Sequence, residues 1–295
     1  MRSWLDFALA QAPGLYALLL RRQRTVNLEK VDFLALVRRG DVIVDAGANV
    51  GAYTLLFSHL AGRRGRVHAF EPVPPTFAAL AAHLGRQARF DNVALNRLAL
   101  SAAAGEVDLY VPGADDGQAA IARHHAGSWT DARELRTYRC EAVTVDGYLA
   151  ARGEAPPDFI KCDVEGAELR VLEGAVATLR RRPPLLHLEV NPTWSRDFGY
   201  APPDLVRFLV PHGYSRFYLA DDLACRALLD PLRELAAFQG SANLICGVPE
   251  LHHARLRRLP LARGMDAAGP AGATHAAGAA DAAGATGAAG RKPAT

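Results

Sequence analysis

The sequence predicts an α/β domain with a mostly parallel sheet and helices on both of its faces. Three observations carry this. Strand-like and helix-like segments alternate from Asp41 onward. The strand-like segments are nearly all apolar, as strands covered on both sides must be. Turn-forming and capping residues stand at the joints between segments.

The elements follow in order. "DVIVDAG" is a short β-branched run ending in turn residues, and "AYTLLFSHLAG" is helical. "RVHAFEP" is a second strand stopped by Pro72. "PPTFAALAAHLGR" is a second helix, with prolines at its start, where they are tolerated, and Gly85 at its end. "NVALNRLALS" is a third strand. "GEVDLYVP" then alternates apolar and polar residues like a hairpin strand, and "YRCEAVTVDGYL" reads as another, giving a small β insertion. Between them runs a long polar stretch of the kind that is a lid or disordered. The alternation resumes with strand "DFIKCDVEG", helix "AELRVLEGAVATLRRR" and strand "PLLHLEVN". Helix "PPDLVRFLVPHG", strand "YSRFYLA" and strand "ANLICGVP" close the domain.

These signals divide the 295 residues into a helical N-terminal extension (1–40), the main domain (41–248), a C-terminal helical segment (249–263) and an Ala/Gly-rich tail (264–295). The tail lacks large apolar side chains and is expected to be disordered. The N-terminal stretch is interrupted by Asp6, Gln11 and Pro13-Gly14 and is followed by no small-residue cleavage site, so a packed helical extension is expected rather than a leader. Its second reading is peripheral membrane contact, with Trp4, Phe7 and Leu18 to Leu20 facing lipid and Arg21, Arg22 and Arg24 facing phosphate.

Composition excludes some classes. The chain is 50% hydrophobic and 22% charged, which is ordinary for a globular protein. A net charge of +3 over this length is no nucleic-acid footprint, and the arginine runs lack interleaved aromatic residues. The four cysteines have no metal-ligand or disulfide spacing, so buried thiols and a cytoplasmic setting are expected.

The first loop carries the chemistry. A parallel sheet binds ligands at the carboxyl ends of its strands. Asp45, Gly47, Asn49 and Gly51 stand there, but Asn49 breaks the glycine series a dinucleotide site requires. Asp45 would also repel a pyrophosphate. A cationic ligand without phosphate fits better, and S-adenosylmethionine has an ammonium, a sulfonium and ribose hydroxyls. Glu71, at the end of the second strand, is placed to accept both hydroxyls. The second constellation is "DFIKCDVEGAELRVLEGA", where Lys161 and Asp163 share one strand face. Asp163 falls at the strand's carboxyl end, beside the first strand. Glu168 reads better as a helix cap. His187 and Glu189 share a face of the next strand, and Glu189 and Asn191 lie at its functional end.

The sequence resembles the FkbM-type methyltransferases, a branch of the class I S-adenosylmethionine-dependent fold. "VDAGANVGAYT", "FEP", "LALSAAAGEVDLY" and above all "IKCDVEGAELRVLEGA" carry the resemblance, which covers roughly Asp41 to Val248. Cys162 departs from the aliphatic residue usual there. The resemblance implies a Rossmann-like class I methyltransferase with a seven-stranded sheet, S-adenosylmethionine as methyl donor, and O-methylation of sugars or other secondary-metabolite hydroxyls. It implies Asp45, Gly47, Asn49, Gly51 and Glu71 as donor-binding positions and Ser101 near the adenine.

Deprotonating a hydroxyl acceptor calls for a base. Asp163 and Glu189 are the candidates, with Lys161 steering the acceptor or tuning a carboxylate, and His124 and His125 of the polar loop as alternatives. Mg²⁺ held by Asp163, Glu189 and Asn191 is a rival that is not favoured, and no metal ligand is assigned. The expected acceptor is a small molecule or glycan. A nicotinamide-dependent oxidoreductase and a non-catalytic donor-binding module are the other function classes.

Overall fold

β-Branched and leucine-rich segments build a sheet of eight strands, into which the motif-bearing loops are set. The protein is described from a computed structural model, which covers residues 29–87, 91–112, 119–121, 135–221, 225–259 and 261. The elements are α1 (Glu29–Leu36), β1 (Val42–Ala46), α2 (Ala52–Ala61), β2 (Arg66–Phe70), α3 (Pro74–Gln87), β3 (Val93–Asn96), β4 (Ala99–Leu100), β5 (Gly105–Pro112) and β6 (Leu135–Val143). There follow α4 (Val145–Arg152), β7 (Phe159–Cys162), α5 (Glu168–Glu173), α6 (Val176–Arg181), β8 (Leu185–Val190), α7 (Pro192–Asp197) and α8 (Pro202–Leu209). The chain continues through β9 (Arg216–Ala220), β10 (Cys225–Ala227), α9 (Pro231–Ala237), β11 (Ala242–Gly247) and α10 (Pro249–Leu256).

The large sheet runs β10-β9-β11-β8-β7-β1-β2-β3. Strands β3, β2, β1, β7 and β8 pair in parallel, and β11 is antiparallel to both β8 and β9. The expected seven strands become eight because the short edge strand β10 pairs with β9. The insertion forms its own three-stranded sheet, β4-β6-β5. The expected single third strand divides between the two sheets: β3 stays in the large one and β4 joins the small one. At the division, the Asn96 side-chain amide donates to the carbonyls of Ala69 and Ala94, occupying acceptors at the strand ends. The second half of "YRCEAVTVDGYL" is not strand but α4, which Thr144 caps by accepting from the Gly147 N–H.

The long helix expected from residue 167 onward is interrupted between α5 and α6. Gly174 sits there because a Cβ would meet the Ser101 carbonyl oxygen at 2.2 Å. Asp146 restarts the chain as α6 by accepting from the Ala177 and Thr178 N–H groups.

Both sheet faces are buried. One cluster joins Val44, Ile160, Leu186, Leu188 and Leu244 to the helices on that side. The other joins Ile43, Phe159, Leu185 and Ile245 to α1, α2 and Leu256. Within α1, Phe33 is fully buried and packs edge-on against Phe57 at 4.8 Å and Tyr53 at 5.0 Å. Arg255 locks α10 to the start of β1 by donating to both carboxylate oxygens of Asp41. All four cysteines are free and buried. No helix among the described residues is long and apolar enough to cross a membrane. The proposed membrane face within 1–28, the loop histidines His124 and His125 and the tail 264–295 lie outside the described residues.

Candidate functional site

The chain order reverses between β1 and β7: β2 and β3 are added on one side of β1, and β7 and β8 on the other. Diverging loops leave a crevice at such a switch point. A cavity of about 410 Å³ lies there, within the size range of small-ligand sites.

Its floor is the loop after β1. Gly47 and Gly51 have φ of +75° and +87°, and Asn49 takes φ of +49°. Asn tolerates this left-handed conformation better than most residues, which is why it can stand where a dinucleotide loop has glycine. Gly47 is required for a second reason: a Cβ would lie 1.8 Å from the Asp163 carbonyl oxygen. The loops after β1 and β7 are therefore in backbone contact.

Glu71 braces the floor from β2. One carboxylate oxygen accepts from the Asn49 N–H and the other from the Val73 N–H, each at 3.0 Å. Burial lifts its carboxyl to about 7, against the pull of those two N–H donors. A carboxylate has about four acceptor positions, so the two bonds leave room for two hydroxyl donors.

Lys161 ties the first loop to the third. Its ammonium donates to the Gly47 carbonyl at 3.0 Å and lies 3.2 Å from Asp163 and 3.8 Å from Asp45. Burial opposes its charge, but Asp163 and Asp45 outweigh that and hold the ammonium above its ordinary value. Asp45 is wholly buried beneath the loop, accepts from the Thr54 hydroxyl at 2.6 Å and does not line the cavity.

The loop after β7 is held in an unusual shape. Glu165 has φ of +56° and Gly166 +97°. Glu168 fastens it: one carboxylate oxygen accepts from the Val164 and Gly166 N–H groups, and the other from the Tyr200 hydroxyl at 3.0 Å. Burial pushes the Glu168 carboxyl up to about 7.

The structure thus brings Gly47, Asn49, Glu71, Lys161 and Asp163 onto one cavity wall. Gly51 stands just behind, with a Cβ there meeting Leu80 Cδ1 at 2.5 Å. Glu189 does not line the cavity. It lies one strand further out on β8, accepts from the Ser241 hydroxyl at 3.0 Å, and is pushed up by burial and by Asp163, Glu168 and Glu165. Ser101 also lies off the cavity, its N–H donating to the Val143 carbonyl, and Leu98 and Leu100 face the cavity instead. Asn191 caps α7 by accepting from the Thr193 and Trp194 N–H groups. His187 packs against Phe33 at 4.7 Å, and burial lowers it to about 4. Among the described residues, no three or more His, Cys, Asp or Glu side chains form a group suited to a metal ion.

Sequence reasoning missed several lining residues. Lys30 and Tyr53 come from α1 and α2, and Leu109 and Ile121 from the insertion. Alternation in "GEVDLYVP" puts Leu109 on one face with Val107 and Val111, yet no local signal says what that face covers. Here it walls an apolar end made with Phe70, Leu98 and Leu100. The cavity as a whole is lined by an apolar slot of Phe70, Leu98, Leu100 and Leu109, by the Glu71 carboxylate, and by a charged end with Lys30, Lys161, Asp163 and Glu165.

Comparison with known proteins gives the same direction. Residues 45–216 match the family described as the methyltransferase FkbM domain. The chain is 33% identical over 161 residues to the 31-O-demethyl-FK506 methyltransferase FkbM of Streptomyces tacrolimicus, covering 47% of this chain and 60% of that protein. It is 30% identical over 141 residues to the hexuronic acid methyltransferase AglP of Haloferax volcanii, covering 48% of this chain and 52% of that one. The match therefore spans little more than half the length of these curated relatives. Among solved structures, methyltransferase FkbM from Methylobacillus flagellatus is 15% identical, with a TM-score of 0.44 over 77% of this chain and 56% of that one.

Proposed function

The chain belongs to the FkbM methyltransferase family, which depends on S-adenosylmethionine, and from that premise we propose that it O-methylates a hydroxyl of a small molecule or sugar, with Asp163 as the base. One relative is named for an O-methylation and the other for a hexuronic acid, so the acceptor class is carried to this chain as part of the proposal. The observation that carries the role of Asp163 is its position. It directly follows β7 on the cavity wall, its side chain is 32% exposed, and Lys161 holds it at 3.2 Å. Glu189, the other candidate, is off the cavity, and burial and nearby acids raise its carboxyl well above the ordinary value.

When bound, S-adenosylmethionine supplies an electrophilic methyl on a sulfonium. The protein's work is positioning and proton removal. Glu71 accepts the ribose hydroxyls, Gly47 and Asn49 shape the floor for close backbone approach, and Leu98, Leu100 and Leu109 flank the base. Asp45 acts from below, holding Lys161 and Thr54. Asp163 orients the acceptor hydroxyl and takes its proton as the oxygen–carbon bond forms and the methyl–sulfur bond breaks, the bonding pair staying on sulfur. Lys161 stabilises the Asp163 carboxylate before the proton arrives. Alignment of this kind supplies up to roughly 7–11 kcal/mol in well-oriented systems.

The test is calorimetric titration with S-adenosylmethionine and NAD, followed by labelled-methyl transfer to a panel of hydroxylated glycans and macrolides, with and without EDTA. Binding of the methyl donor, labelling of oxygen and full activity in EDTA are expected. Binding of NAD alone would point to an oxidoreductase instead, and activity lost in EDTA and restored by Mg²⁺ would bring the metal-assisted mechanism back.

A further inference from the structure

Helix α1 precedes the family-matched segment, which begins at residue 45, yet it supplies a cavity residue, Lys30. The helix is firmly placed. Phe33 is buried in an aromatic cluster with Tyr53 and Phe57. Glu29, next to Lys30, accepts from the Tyr53 hydroxyl with one oxygen and from the Asn243 amide, at 2.6 Å, with the other. Asn243 lies on β11, so the start of α1 stands on the side of β1 away from Glu71 and the apolar slot. Tyr53 also lines the cavity, and the Lys161 ammonium lies 5.5 Å from its ring centre. Lys30 therefore belongs to the polar end, opposite the slot for the base.

The charges at that end leave one requirement unmet. Asp163 and Glu165 line it, and Lys161 is engaged by Gly47, Asp163 and Asp45. If the donor reading above holds, on which this inference rests, the ligand's tail carries a sulfonium, an ammonium and a carboxylate. The acids favour the first two and repel the third. A carboxylate among carboxylates needs a cation of its own, and charge-assisted bonds are the strongest available for it. We infer that Lys30 pairs with the donor's α-carboxylate, which makes α1 a working part of the donor site.

The experiment measures donor affinity by calorimetry on the full chain with two ligands. One is S-adenosylmethionine. The other is its decarboxylated analogue, which keeps the sulfonium, the ammonium and the nucleoside but lacks the carboxylate. Lys30→Met is expected to weaken S-adenosylmethionine by about tenfold to a hundredfold, as for loss of a hydrogen bond to a charged group. It should leave the analogue within about twofold by the same reasoning. Lys30→Arg should recover most of the lost affinity. Equal weakening of both ligands would mean that Lys30 only supports the fold, and unchanged S-adenosylmethionine affinity would place the carboxylate elsewhere; either overturns the inference. A wild-type protein that binds neither ligand would instead overturn the donor reading beneath it. Thermal melts of both variants separate misfolding from loss of contact.

Discussion

Replacing Glu71 by Gln should stabilise the ligand-free protein above neutral pH while weakening donor binding. Glu71 is 6% exposed, and burial raises its carboxyl from the ordinary 4.5 to about 7. Between those values the folded chain keeps a proton that the unfolded chain has lost. Stability therefore falls as pH rises through this window, with the penalty complete above about 7. A shift of this size corresponds to about 3 kcal/mol. Glutamine carries no charge and escapes that penalty, but it keeps only one acceptor for the two N–H groups of Asn49 and Val73, at a cost of about 1–2 kcal/mol. The balance at pH 8 is a gain of about 1–2 kcal/mol, or roughly 2–8 °C in Tm. At pH 4.5 both forms are neutral and only the lost acceptor counts, so the variant should melt below wild type. S-adenosylmethionine affinity should drop by about tenfold or more, since the diol loses a charged acceptor. Fluorimetric melts across this range and calorimetry at pH 8 make the test. A Tm difference of the same sign at both pH values, with donor affinity unchanged, would refute the reasoning.

Four further outcomes are expected. Gly47→Ala puts a Cβ 1.8 Å from the Asp163 carbonyl oxygen and should cost at least about a hundredfold in kcat/KM, because the two loops must separate; Gly51→Ala, which meets only the flexible tip of Leu80, should chiefly lose about 1–2 kcal/mol of stability in a urea melt. Asp163→Asn should lower single-turnover methyl transfer by about 10²–10⁴-fold while donor affinity stays within a few-fold, and transfer at the wild-type rate would remove Asp163 from the base role. Tyr200→Phe strips Glu168 of its hydroxyl donor and should cost about 1–3 kcal/mol in chemical denaturation, without the steep kinetic loss of the Asp163 variant.

The sequence by itself determined the alternation, the parallel core and the loop identities, because those are local signals. Apolar runs of strand length, prolines at helix starts and turn residues at strand ends act within a few positions of themselves. Asn49 and Glu71 were legible for the same reason: each ends a recognisable strand–loop unit, and their chemistry follows from what such an end must hold. The expected capping role of Glu168 is not what the structure shows: α5 has no side-chain cap, and Glu168 instead accepts from the Val164 and Gly166 N–H groups of the preceding loop and from the Tyr200 hydroxyl, a use that no local signal gives.

What only the tertiary structure decided concerns direction and depth. Asp45 and Gly47 are two residues apart, yet one lies sealed under the loop and the other on the cavity wall. Glu189 and Asp163 stand at the carboxyl ends of neighbouring strands, one within β8 and one just after β7, but the sheet's switch point falls beside β7, and of the two only Asp163 reaches the cavity. The split of β3 from β4 and the edge strand β10 depend on partners far along the chain. Lys30, Leu109 and Ile121 join the site because α1 and the small sheet close over it. Such placements are set by packing between distant segments, and no pattern within a short window of sequence encodes the distance between two side chains that only folding brings together.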